Sequence, residues 1–380
     1  MTRRRPHIRP PALLAVTLVV AAACVPPLRG PVHAPSAGIR LNQIQVLASH
    51  NSYHVQPEPA LQAALDDFLG PAAQGFEYTH HPLAEELDAG VRQIELDAFV
   101  DDPAGGRYAH PRVVDLLGVA PPDPALAGPG LKVLHVQEVD YRSTCPTLAI
   151  CLTQVRDWSD AHPGHLPVTI QIEAKDDPIP DPGLGFVQPL AWTGADFAAL
   201  EDEIDAVFPA ERVLTPAEVR GHAATLADAV RRGRWPRLDQ VRGQVLFTLD
   251  DHGAKRDAYR AQVPDLADRR LFVDVPESDP DAAIMVVNDP LSQGDRIRAL
   301  VAAGFIVRTR ADADTVQARS GDTSMRDAAF ASGAQYVSTD YVFPDDPFGT
   351  GYVVDLPGDG AARCNPVSAP QRCRRADLSG

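Results

Sequence analysis

Four short stretches of the chain collect the residue types that acid–base and metal chemistry need. Ser49-His50-Asn51-Ser52-Tyr53-His54 ends one apolar run, and Val91–Phe99 carries Glu95 and Asp97. Lys132-Val133-Leu134 runs into His135, and Ile170–Lys175 carries Glu173 and Lys175. Histidine gives and takes protons near neutral pH, so His50 and His135 are candidate acid–base residues. Glu95 and Asp97 are two apart, as are Glu173 and Lys175, and on a strand such pairs share a face. Two buried carboxylates left charged and unpaired cost several kcal/mol, and a hard cation that prefers oxygen ligands, such as Ca²⁺, removes that cost. Each residue also has an ordinary use. A histidine at a strand end hydrogen-bonds its surroundings, Glu95 and Asp97 pair with Arg92 or Lys175, and Asn51 suits a turn. Their coincidence at four successive strand ends is what points to a site.

The elements that must position them alternate. Strands are expected at Ile44–Ser49, Val91–Phe99, Leu131–Val136, Val168–Glu173, Val245–Leu249, Leu271–Val275, Phe305–Thr309 and Gln335–Thr339, with Ile284–Val287 competing with the sixth. Helical periodicity falls at Ala60–Phe68, Cys151–Ala161, Asp196–Val207, Ala224–Arg232, Asp295–Ala303 and Ser324–Ser332, the last stopped by Gly333. Alternation implies parallel strands covered on both faces, and eight such units imply a closed (β/α)₈ TIM barrel as one catalytic domain over residues 39–380. In that fold, sites are built at the carboxyl ends of the strands, where the four stretches end.

Composition narrows the function classes. A net charge of −16 disfavours nucleic acid, which needs a basic face. No glycine-rich dinucleotide or P-loop motif is present, so no nucleotide cofactor is expected. Arg3, Arg4 and Arg5 precede an uncharged run, Leu13–Ala23, that reads as a signal peptide over residues 1–24, followed by a Pro/Ala-rich spacer to residue 38. Cys24 is either a lipidation site or an unused leader residue. Export implies an oxidising compartment, where proximity favours Cys145–Cys151 and Cys364–Cys373 disulfides, since the spacings fit no zinc motif. The sequence carries no signal of oligomeric state.

Ser49-His50-Asn51-Ser52-Tyr53, Glu95-Leu96-Asp97, Val133-Leu134-His135 and Ile172-Glu173 resemble the catalytic half of phosphatidylinositol-specific phospholipases C, specifically the calcium-dependent bacterial branch. Asp140–Cys145, Cys151-Leu152 and Gln335–Tyr341 resemble that branch as well. The resemblance implies a PLC-like phosphodiesterase barrel, secreted or held at the bacterial surface, acting on phospholipid at a membrane. It implies His50 as general base and His135 as general acid. It also implies Ca²⁺ held by Asn51, Glu95, Asp97 and Glu173, and a product that is a cyclic inositol phosphate or its hydrolysed form. Lys175, Arg308 and Arg310 are candidates for phosphate or inositol contact. His110, in the Pro- and Gly-rich insertion 100–130, competes with His135 for the acid role; His135 is preferred because it follows an apolar strand. No membrane-binding module is legible. Two rivals remain: a glycerophosphodiester phosphodiesterase, to which Arg308–Asp312 is similar, and a surface lipoprotein that binds a ligand without turnover.

Overall fold

The computed structural model describes residues 38–358 and 360–378. The expected leader, Cys24 and nearly all of the spacer lie outside the described residues. The β-branched and apolar runs form strands β1 (Ile44–Ser49), β2 (Val91–Phe99), β3 (Lys132–Val133), β4 (Val168–Lys175), β5 (Val245–Leu249), β6 (Leu271–Val273), β7 (Ile284–Val286), β8 (Ile306–Arg310), β9 (Tyr336–Thr339) and β10 (Arg363–Cys364). Eight of them make one parallel sheet in the order β6-β5-β4-β2-β1-β9-β8-β7. That order curls into a nearly closed TIM barrel with helices outside and a seam between β6 and β7. The link across the seam, residues 274–283, contains Pro276 and Pro280 and forms no helix.

The eighth barrel strand is not the one expected. Leu131–Val136 shrinks to β3, which pairs antiparallel with β2, Ala98 facing Val133 and Phe99 facing Lys132. The chain returns directly from β2 through the 100–130 insertion, without the crossover that a parallel partner needs. Lys132 locks the return: its Nζ donates to the Gly128 and Gly130 carbonyls at 2.6 and 2.7 Å and pairs with Asp101 at 3.1 Å. Ile284–Val286 takes the vacant barrel place, so it complements the sixth strand instead of competing with it.

Helices start where caps dictate. Thr147 accepts from the Ile150 N–H and starts Leu148–Ala161, three residues ahead of the apolar pattern. Asp289 caps Pro290–Ala302 in the same way, and Gly333, at φ 84°, ends Ser324–Ser332. The 100–130 insertion is not all loop, since Arg112–Leu117 is helical. It packs with helix Pro59–Leu69 in a small cluster around Leu61, Leu65, Val113 and Tyr141, apart from the main core. Both expected disulfides, Cys145–Cys151 and Cys364–Cys373, are formed.

Candidate active site

The carboxyl ends of β1, β2, β4, β8 and β9 meet at the mouth of the barrel. At the end of β1 the Ser49 hydroxyl donates to Glu86 at 2.6 Å, and the His50 N–H donates to the Thr339 carbonyl of β9 at 3.1 Å. Asn51 sits at φ 47°, a left-handed conformation that asparagine tolerates better than most residues. Ser52 then ties the turn to β2: its N–H donates to the Glu95 carbonyl at 3.0 Å, and its hydroxyl accepts from the Glu95 N–H at 2.9 Å. These bonds put the His50-Asn51 pair beside Glu95.

His50 is held between two charges. Its Nδ1 is 2.7 Å from Asp340 Oδ1 and its Nε2 is 3.0 Å from Arg310 Nη1, while Arg310 also donates to Asp340 Oδ2 at 2.8 Å. A guanidinium only donates, so Nε2 is an acceptor and the proton lies on Nδ1, aimed at Asp340. Burial, and then the Arg310 charge, push the imidazole down to about 4, against the opposing pull of Asp340 and Glu95. His50 is therefore neutral at pH 7, and its Nε2 lone pair takes a proton once Arg310 releases it.

His135 has a different setting. It lies on a tight turn in which the His135 and Val136 N–H groups donate to the Asp140 carbonyl at 3.2 and 3.0 Å, and the Asp140 N–H returns to Val136 at 2.8 Å. Glu138 takes φ 69° inside this turn. The closure brings Asp140 Oδ2 to 2.7 Å from His135 Nδ1. Burial works against the charged ring, but the hydrogen bond and charge of Asp140, with the charge of Asp97, outweigh it and raise the pKa. The same Asp140 oxygen lies 2.7 Å from His54 Nε2, and His54 Nδ1 faces the Tyr78 carbonyl at 3.0 Å. A carbonyl only accepts, so His54 Nδ1 carries a proton and the His54–Asp140 contact holds another. Burial would raise Asp140, yet the two imidazoles outweigh it and keep the carboxyl below its usual range. His110 is exposed on the insertion.

The acids converge as their spacing predicts. Asp97 and Glu173 are register partners across β2 and β4, and single oxygens of Glu95, Asp97 and Glu173 lie within 4.8 Å of one another. Among the described residues, neither Asp97 oxygen accepts a hydrogen bond, and neither does the buried Asn51 Oδ1. Burial pushes Asp97 up to about 7, with Lys175 pulling the other way and Glu173 adding to the rise. Lys175 Nζ is 3.1 Å from Glu173 and 3.5 Å from Asp97. Buried Asp97 oxygens without a hydrogen bond, gathered with Glu95 and Glu173, and the unbonded amide oxygen of Asn51 fit a divalent cation that binds carboxylates and amide carbonyls, and Ca²⁺ is such an ion.

Arg308 departs from the expected substrate contact. It is 1% exposed, and its guanidinium is taken by Glu95, by Asn288 Oδ1 at 2.6 Å and by Ser338 Oγ at 3.2 Å. It braces an acid from below the site. Arg310 and Lys175, by contrast, stand at the mouth beside His50 and the acids. Sequence reading missed His54, Asp140, Asp250 and Asp340 as site members. Asp250 and Asp340 immediately follow β5 and β9, so the strand-end rule that found Glu173 would have found both. Asp250 accepts from Gln171 Nε2 at 2.8 Å, and burial, with the Glu95 charge, holds its carboxyl well above the usual range.

The family described as phosphoinositide phospholipase C, Ca²⁺-dependent, matches residues 39–366. No curated protein matches the sequence. Solved structures share the fold. One is a calcium-dependent phosphoinositol-specific phospholipase C from a Gram-negative Pseudomonas sp., 18% identical with a TM-score of 0.52, covering 87% of this chain and 96% of that one. Its myoinositol complex is 17% identical at a TM-score of 0.50, covering 80% of this chain and 92% of that one. The Ca²⁺-dependent phosphatidylinositol-specific enzyme from Streptomyces antibioticus is 18% identical at 0.50, covering 80% and 95%.

Proposed function

Because the chain belongs to the Ca²⁺-dependent phosphoinositide phospholipase C family and is therefore a phosphoric diester hydrolase, we propose that it is an exported bacterial enzyme cleaving phosphatidylinositol to diacylglycerol and an inositol phosphate, released first in cyclic form. The observation that carries this reading is the pair of carboxylate-held imidazoles, His50 and His135, driven in opposite directions beside three convergent acids. Titratable groups pushed apart by their surroundings mark the base and the acid.

His50 Nε2 takes the proton of the inositol 2-hydroxyl as that oxygen bonds to phosphorus. Asp340 steadies the imidazolium that results. The bond from phosphorus to the diacylglycerol oxygen breaks, and His135 gives that oxygen its proton. Arg310 leaves His50 for a phosphoryl oxygen, and Lys175 is placed to contact the phosphate or the ring. Asn51, Glu95, Asp97 and Glu173 would hold Ca²⁺. When bound, the ion supplies positive charge that lowers the 2-hydroxyl pKa and offsets charge on the phosphoryl oxygens. His135 is favoured over His110 as acid because only His135 joins the carboxylate network. Family membership stands against both the glycerophosphodiesterase and the inactive-lipoprotein readings.

The test is release of water-soluble inositol phosphate from phosphatidylinositol vesicles, with Ca²⁺ and with a chelator, by wild type and His50→Ala. Release that needs both the ion and His50 is expected. No release under any condition would remove phosphatidylinositol as the substrate.

A further inference from the structure

The mouth carries a second feature that this chemistry leaves unused. Helix Pro59–Leu69 follows β1, helix Arg112–Leu117 follows β2, and the segment 176–193 follows β4, so all three stand on the catalytic side of the barrel. Between them runs an apolar cleft of about 400 Å³, floored by Leu65 and Val113. That volume lies within the roughly 300–1,000 Å³ of small-molecule clefts. Among the described residues, eight large hydrophobic side chains are exposed, and five of them (Phe68, Leu69, Leu116, Leu117 and Leu184) line this cleft. Their clustering on one cleft is what marks a binding surface, since scattered exposed apolar residues need no explanation.

The cleft is continuous with the acid arm. Phe76 forms part of its wall and meets the His135 ring edge-on at 5.6 Å, and Val136, next to His135 in the chain, also lines it. Exposed Asp66 and Asp67 flank it on one helix, and on the other exposed Asp115 pairs with exposed Arg112, so the balance is acidic. An acidic surround suits an uncharged chain better than an anionic lipid face.

We propose that this cleft is a subsite for one acyl chain of the substrate's diacylglycerol, drawn out of the lipid layer and laid along the apolar wall from His135 outward. The inference rests on the phospholipase reading, because His135 is where the diacylglycerol oxygen departs. It makes the enzyme sensitive to tail length in a dissolved substrate, where docking to a bilayer plays no part.

The test uses the full-length protein and its Phe68→Asp/Leu116→Asp variant, both changes at exposed positions, with three probes. These are short-chain phosphatidylinositols kept monomeric, glycerophosphoinositol, and dioctanoylglycerol titrated calorimetrically. For wild type, KM should fall as the chain lengthens, by up to about fourfold per methylene buried. The variant should lose that dependence and its dioctanoylglycerol heat while turning over glycerophosphoinositol as wild type does. A flat chain-length series or no dioctanoylglycerol binding, with turnover intact, would overturn the subsite and leave the phospholipase standing. A variant impaired only on vesicles would also overturn it, making the face a bilayer-docking rim. Dioctanoylglycerol binding that the variant loses, without turnover of any inositol lipid, would keep the cleft as a chain site and sink the phospholipase reading.

Discussion

His50 and His135 are the same side chain in two different fields. Each gives its Nδ1 to an aspartate at 2.7 Å. On the His50 arm that aspartate is shared with Arg310, a permanent cation that also contacts the imidazole, and burial together with that charge pushes the ring to about 4. On the His135 arm Asp140 is shared with a second histidine, His54, and the ring is raised. The lesson is that an Asp–His pair does not by itself define a base or an acid. The balance of burial and neighbouring charge decides. Burial and Arg310 outweigh Asp340 at His50, whereas Asp140 and Asp97 outweigh burial at His135, which separates one neutral ring from one proton donor at the same pH.

The largest expected effect strikes both arms alike. His50→Ala and His135→Ala should each lower turnover of phosphatidylinositol by about 10²–10⁴-fold. The comparison sharpens when one charged neighbour on each arm is changed. Arg310→Met leaves Asp340 to raise His50, so on top of a pH-independent loss of its phosphoryl contact the acidic limb of kcat/KM should climb from about 4. The extra loss at pH 5 is about twofold for a climb of one unit and about tenfold for two, with almost none added at pH 8. Asp140→Asn removes the main support of the His135 proton, so the alkaline limb should move down, with about tenfold lost on its alkaline side for each pH unit it moves and a smaller loss at pH 6. If the two limbs moved the same way, the assignment of the arms would be wrong. A cation at the acids would neutralise Asp97 and remove its share of the His135 rise, leaving Asp140 as the main cause.

The smallest effect is on stability. The folded pKa of Asp97 is raised to about 7, so the ion-free protein is favoured below its unfolded carboxylate value and loses stability as pH rises toward 7. Ca²⁺ meets a proton at Asp97 at low pH and a bare carboxylate at high pH. The ion should therefore raise the melting temperature by several degrees at pH 8, from about 2.7 kcal/mol at a hundredfold excess over Kd, and by clearly less at pH 5.5. An equal shift at both pH values would place the ion elsewhere.

Much of this was legible in the sequence because strand period and strand ends are local properties. Glu95, Asp97 and Glu173 announced themselves by spacing, and His50 and Asn51 by following an apolar run. Leu131–Val136 misled because a short apolar run does not reveal its pairing direction, which the loop from β2 and the Lys132 lock determine. Asp140 lies five residues beyond His135, on a turn closed by backbone bonds and a left-handed Glu138, and neither leaves a strong residue signature. Arg308 and Arg310, two apart on β8, read alike. Only the packed barrel shows that one is sealed beneath Glu95 and the other reaches His50. The apolar cleft was hidden because its walls come from four stretches far apart in sequence, those following β1, β2, β3 and β4.

The central claim is the division of roles between the two histidines, and a change of leaving group tests it most directly. An inositol aryl phosphodiester releases a phenolate that needs no proton. With Ca²⁺ present, His135→Ala should recover to within about tenfold of wild type on this substrate, while His50→Ala stays down by about 10²-fold or more. Recovery of His50→Ala instead, or equal and persistent losses in both variants, would contradict the account.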